Sequence, residues 1–370
     1  MMQTRLPIPA NLQSAGAGQA ASARQLRGTL ECLPMWLICI PLTIQWIWLA
    51  LRYRSATLPS AANPAITSGG LVGEGKLEYL DAMGPLARAR TADYCAISTH
   101  HSLAPAELRQ LMRDAGLSFP VIAKPDIGLC GYGVRLLASR AELLAYLAAY
   151  PRNQMVVLQR YLPQDGEAGI FYARDPDTNQ ARIIGLALRH FPQVTGDGTK
   201  TLTELIACNP RARRVKTSRH ECRHDGTRVP KAGEVVRLAT IGSTRVGGMY
   251  RDGAACISAQ LTAAIDAVAR DMPQFYFGRF DVRFDSLREL SAGTGFTIME
   301  INGAGSEAIQ AWDPETNVIA AFCMIFAKQR MLFAIGDAMR RRGVQPVGLL
   351  ALARLHFAQL RLIARYPPSN

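Results

Sequence analysis

Much is missing from this chain of 370 residues, and each absence narrows its function. No CxxC pair occurs among the eight cysteines, at 32, 39, 95, 130, 208, 222, 256 and 323, so a disulfide framework is not expected and a reducing compartment fits better. Cys222 lies between His220 and His224, but a fourth ligand is lacking and arginines crowd the segment, which argues against zinc. Aromatic residues make up 7% of the chain and are not interleaved with the basic ones. There is therefore no base-stacking platform, and nucleic acid is not the expected partner. The GxxxxGK[ST] order of a Walker loop is absent, as is a dinucleotide fingerprint. No internal repeat is evident. Residues 33–51, LPMWLICIPLTIQWIWLAL, contain no charge at all.

The formal net charge of +13 points to an anionic partner: a nucleotide, an acidic lipid surface or nucleic acid. The uncharged run approaches the roughly 20 residues that span a bilayer. Trp36, Trp46 and Trp48 suit an interface, with Arg52 and Arg54 at a cytoplasmic edge. A buried helix, or an interfacial hairpin broken at Pro34 and Pro41, fits the same run. A signal peptide does not, because the run starts late.

Periodicity predicts helices over residues 105–117, 139–150 and 258–272. Ser139 with Glu142 has the spacing of a capping box. Strands are expected at 155–162, 169–174, 181–188, 278–284 and 296–301. Residues 211–223 carry six arginines and lysines and read as a solvated loop. Amphipathic helices are expected at 331–341 and 347–365, separated by Gly343.

Two segments carry chemistry. In FPVIAKPDIGLCGYG, Lys124 ends an apolar run, and its ammonium can meet phosphate oxygens. Gly128, Gly131 and Gly133 then let the backbone fold tightly around an anion and offer its N–H groups. In GRFDVRFD, Asp281 and Asp285 lie four apart on a strand and share a face, as do Glu300 and Asn302 in FTIMEINGAGSEA. Such oxygens suit Mg²⁺ beside ATP phosphates. Arg279 and Arg283 share the face of Asp281, so a structural ion-pair strand fits the same spacing. Between these segments, Gln159, Arg160, Tyr161 and Leu162 read as a hinge facing adenine, and Glu167 as an acceptor for ribose hydroxyls.

Over roughly residues 104–310 these segments resemble the ATP-grasp superfamily, on the side of D-alanine–D-alanine ligase, the glutathione-synthesising ligases and cyanophycin synthetase. The resemblance implies an α+β fold with two α/β lobes around a nucleotide cleft. To this the sequence adds an apolar N-terminal segment and a helical C-terminal extension. The expected divisions are a flexible 1–30, an apolar 31–54, a shortened 55–118, a nucleotide-binding lobe at 119–190, a metal and substrate lobe at 191–313 and a helical 314–370. By resemblance, Lys124 and the glycine loop hold phosphates, with Gln159 standing where an acid is common. Asp281, Glu300 and Asn302 hold Mg²⁺, or Mn²⁺ in its place, and Arg279 stabilises reacting oxygens. Gly305 and Ser306 touch the acceptor. Arg189, His190 and Lys200 are candidates for a further phosphate-side cation.

The implied activity is ATP-dependent carboxylate–amine ligation through an acylphosphate, on an amino acid, peptide or related small substrate. A small-molecule kinase on the same lobes and a membrane-associated, non-catalytic nucleotide-binding protein are the alternatives. The expected location is cytoplasmic, with attachment to the inner face of the membrane and homo-oligomerisation left open.

Overall fold

The computed structural model describes residues 28–100 and 104–370; most of the segment expected to be flexible, 1–27, lies outside the described residues. Residues 28–30, which the sequence reading also expected to be flexible, lead into a short helix, Thr29–Cys32, that buries Leu30.

Four strands, β1 (Tyr94–Ser98), β2 (Val121–Pro125), β3 (Arg135–Leu137) and β4 (Met155–Arg160), form an antiparallel sheet in the order β1-β4-β2-β3. Alternation decides its faces. Val156 and Leu158 of β4 join Val121 and Ala123 in a core with Leu108, Met112, Leu143 and Tyr146 from the helices Pro105–Asp114 and Arg140–Ala149. Val157, between them, points into the core of the other lobe. The Ser139 hydroxyl accepts from the Glu142 amide at 3.3 Å, which gives the second helix its cap.

The second lobe is built on β5 (Gly166–Arg174), β6 (Ala181–His190), β9 (Met249–Asp252), β10 (Phe277–Phe284) and β11 (Phe296–Asn302), in the order β11-β10-β5-β6-β9. A small pair, β7 (Gln193–Thr195) and β8 (Val235–Arg237), stands apart. Tyr172, Phe275 and Phe280 stack and cross edge-to-face in the main core, against Leu261, Ile265 and Val268 of the helix Ala259–Arg270. The fold class is the expected α+β, with two lobes around a cleft. The sheets divide between Arg160 and Gly166, however, and not at residue 190. β5 pairs with β10 along one edge and with β6 along the other, which draws both strands into the second sheet.

The apolar segment is one continuous helix, Met35–Tyr53, which passes through Pro41 without breaking into a hairpin. One face of it packs on the helix Val318–Arg341, where Gln45 donates to the Phe326 carbonyl at 2.9 Å and to Gln329 at 3.0 Å. The basic stretch 211–223 is only in part the expected solvated loop: Arg213 and Lys216 are exposed, but other cations in it are engaged. Arg211 is buried, donates to the Gly248 carbonyl and shares Glu31 with Arg214, while Arg219 binds the carbonyls of Ile363 and Tyr366. Guanidinium forks satisfy buried backbone oxygens here. Asp285 lies beyond the end of β10 and is exposed, away from Asp281.

Candidate active site

A cleft of about 270 Å³ opens between the two sheets. Lys124, at the end of β2, is only 5% exposed and reaches across the gap. Its ammonium donates to Gln159 Oε1 of β4 at 2.7 Å and to the Met299 carbonyl of β11 at 2.6 Å. That carbonyl is free for a local reason. The β10–β11 register passes from Asp281–Glu300 to Val282–Ile298, which leaves Met299 as the extra residue of a bulge. Burial pushes the Lys124 ammonium down to about 8, against the opposing pull of Glu300.

The oxygen donors sit beside it. Asp281 pairs with Glu300 and Arg279 with Asn302 in the ladder. Asp281 is buried. It accepts from Arg279 at 2.7 and 2.9 Å, from Arg189 at 2.9 Å and from the Asn302 amide at 3.2 Å. Burial opposes ionisation of this carboxyl, but the Arg189 and Arg279 guanidiniums hold it below its ordinary range. Glu300 is more open and lies 3.4 Å from Lys76 Nζ. The spacing left two readings, a metal site or an ion-pair strand, and both bear on the same residues. Glu300 and Asn302 are the freer oxygens, whereas Asp281 is already engaged by two arginines.

Each remaining expected residue has a definite place. Gly128 and Gly131 line the cleft, and Gly131 has φ +73°. Gly133 does not line it: its Cα packs where a Cβ would meet Pro125 and Tyr366, so it shapes the loop from behind. Gln159, Arg160, Tyr161 and Leu162 all line the cleft. The Gln159 side chain faces Lys124, and its amide donates to the Ala92 carbonyl at 3.3 Å. Glu167 lines the cleft too, with one oxygen taken by Arg189 at 3.0 Å and the other by Arg283 at 3.2 Å. Gly305 and Ser306 line the cleft as well. Among the cation candidates, Arg189 is in the cleft, whereas Lys200 is exposed and bound to Asp197, and His190 lies off the lining.

Some residues escaped the sequence reading. Glu74 and Lys76, in GEGK, enter the cleft from a stretch that reads as a loop. They are brought in by a crossing of two glycine runs: Ala304 N donates to the Gly69 carbonyl at 3.1 Å and Gly305 N to that of Gly70 at 2.6 Å. A Cβ on Gly70 or Gly303 would run into the other chain segment and the Tyr79 hydroxyl. Lys76 Nζ lies where a Cβ on Gly128 would come within 2.9 Å, so it stands at the glycine loop. Burial raises the Glu74 carboxyl to about 6, and its Oε2 has no partner. Lys328, from the helix Val318–Arg341, donates to the Ser306 carbonyl, and burial lowers its ammonium to about 8. Arg245 ties the glycine loop down by donating to the carbonyls of Cys130 at 3.0 Å and Gly131 at 3.1 Å. Gln359 adds a bond to the Gly128 carbonyl at 3.1 Å.

No family model matches the chain, and no curated protein matches it. Solved structures do. The D-alanine–D-alanine ligase from Bacillus anthracis is 12% identical with a TM-score of 0.40, covering 75% of this chain and 72% of that one. The VanG D-Ala:D-Ser ligase from Enterococcus faecalis is 11% identical with a TM-score of 0.39, covering 72% and 64%. A bifunctional glutathione synthetase from Pasteurella multocida is 15% identical with a TM-score of 0.34, covering 68% and 35%. They fall in the same group of ligases that the sequence motifs resemble. With these TM-scores below 0.5, the functional reading rests on the cleft itself.

Proposed function

We propose that the protein is an ATP-dependent ligase that joins a small carboxylate to an amine through an acylphosphate. The observation that carries this reading is the Lys124 contact with the bulged Met299 carbonyl. It puts a cation from one lobe against Asp281, Glu300 and Asn302 of the other, within one cleft. A nucleotide triphosphate is the substrate that calls for both sets at once.

The residues fit a divalent ion by donor chemistry: two carboxylates and an amide oxygen on paired strands, with no histidine or thiol among them. Glu300 and Asn302 would hold it, joined by Asp281 to the extent that its arginines yield an oxygen. The ion would supply neutralisation of phosphate charge.

The chain's own residues do the rest. Lys124 and Lys76 neutralise phosphate oxygens under the glycine-loop amides. The substrate carboxylate attacks the γ-phosphorus, the bond to the β-phosphate oxygen breaks and ADP leaves. Arg279, 12% exposed at its side chain, reaches the Glu307 carbonyl at 3.4 Å and so faces the acceptor end, where it stabilises the tetrahedral oxyanion. The amine then displaces phosphate. Gly305 and Ser306 border the acceptor, and Gln159 to Leu162 border the base.

ADP release across a panel of acids, with hydroxylamine as the amine, tests this proposal. A hydroxamate found by mass supports acylphosphate formation. A stable phosphorylated alcohol replaces the ligase with a kinase, and no turnover over a broad panel favours a nucleotide-binding scaffold.

A further inference from the structure

We infer that the helix Met35–Tyr53 seats the protein on an anionic lipid bilayer by one face, without crossing it. The helix is two-sided in a way the sequence did not disclose. Ile38 and Leu49 are buried against the body, Gln45 is bonded to the helix Val318–Arg341, and the Trp46 indole donates to the Ala56 carbonyl at 3.0 Å. The opposite face presents Trp36, Ile40, Ile44, Ile47, Trp48 and Leu51, between 48% and 74% exposed. Their spacing, mostly of three and four residues, makes one continuous stripe, about 22 Å long at the rise of a helix. A stripe of that size is too apolar to be left in water.

Its chemistry selects lipid over a protein partner. The stripe begins and ends near exposed tryptophans, which favour the headgroup boundary. Between Glu31 and Glu74 the chain has no acidic residue, and its only charges are Arg52 and Arg54. Arg52 lies over the Trp48 ring at 5.7 Å, at the rim of the stripe. Cations beside an apolar stripe, on a chain of net charge +13, complement an anionic surface. The buried face argues against a span. Gln45 and its neighbours would have to leave the same long helix that holds Ser306 through Lys328.

Flotation of the full-length chain with phosphatidylcholine vesicles, with and without about a quarter phosphatidylglycerol, tests the inference. The wild type should float with the anionic vesicles and far less with the neutral ones. Ile44→Glu with Trp48→Glu should cut binding at least about tenfold, since both side chains lose apolar burial in the bilayer, and the unchanged thermal melt expected of exposed positions shows that folding is intact. Arg52→Glu with Arg54→Glu should abolish the preference for anionic lipid. Failure of the wild type to float overturns the inference. So does resistance to alkaline carbonate extraction, which marks a spanning helix. A concentration-dependent dimer that Ile44→Glu with Trp48→Glu abolishes, with no lipid binding by the wild type, assigns the face to a second copy. None of these readouts depends on catalysis.

Discussion

Replacing Lys124 with methionine gives the sharpest physical test of the cleft. The wild-type ammonium is held at about 8 by burial, against an ordinary 10.5 when the chain unfolds. Because the folded value is the lower one, the unfolded state binds more protons between the two. Stability therefore rises with pH across that window, and the contribution is lost as pH falls through the folded value. The variant lacks the group, so the wild type should gain on Lys124→Met by about 2 kcal/mol between about pH 7 and about pH 9.5, from the shift to about 8. Urea unfolding of both proteins along a pH series reads this difference directly, with tyrosine and arginine titrations common to both and cancelling. A flat difference would show that the ammonium is not desolvated between the lobes, and the argument from the Met299 contact would fall with it. The same variant should lose ATP consumption.

Other substitutions probe other parts of the site. Asp281→Asn should destabilise the protein by about 3 kcal/mol in chemical unfolding, because it leaves Arg189 and Arg279 buried without their shared carboxylate. Glu74 is raised by burial to about 6, so its stabilising contribution is present at low pH and lost as pH rises through that value; Glu74→Gln should gain on the wild type by about 2 kcal/mol between about pH 4 and about pH 7.5. Gly131→Ala should cost about 1 kcal/mol and raise KM for ATP, because φ is +73° and the new Cβ would press on Ile241 at 3.0 Å.

Much of this was readable from the residues, for identifiable reasons. Strands β10 and β11 announce themselves by alternation, and the same alternation puts Asp281, Glu300 and Asn302 toward the cleft. Lys124 stands out because a lysine ends an apolar run before glycines. The bulge at Met299 could not be seen, since it depends on how two distant strands slide into register. Glu74 and Lys76 were hidden for a related reason: glycine-rich sequence reads as a turn, while its use here is close crossing of two chain segments. The arginines of 211–223 misled because charge usually solvates; their partners, Glu31 and the carbonyls of Gly248, Ile363 and Tyr366, are far away in sequence. The helix Met35–Tyr53 was legible as apolar, but its two-sidedness came only with the partner helix.

The central claim is that Lys124 and Glu300, from separate lobes, act on one bound triphosphate. A double-mutant cycle on ATP affinity, measured by calorimetry in magnesium with Lys124→Met, Glu300→Gln and the pair, tests it most directly. Each single change should weaken binding at least about tenfold, about 1.4 kcal/mol, and the pair should lose less than the sum. Binding that either variant leaves untouched, or losses that simply add, would contradict the account.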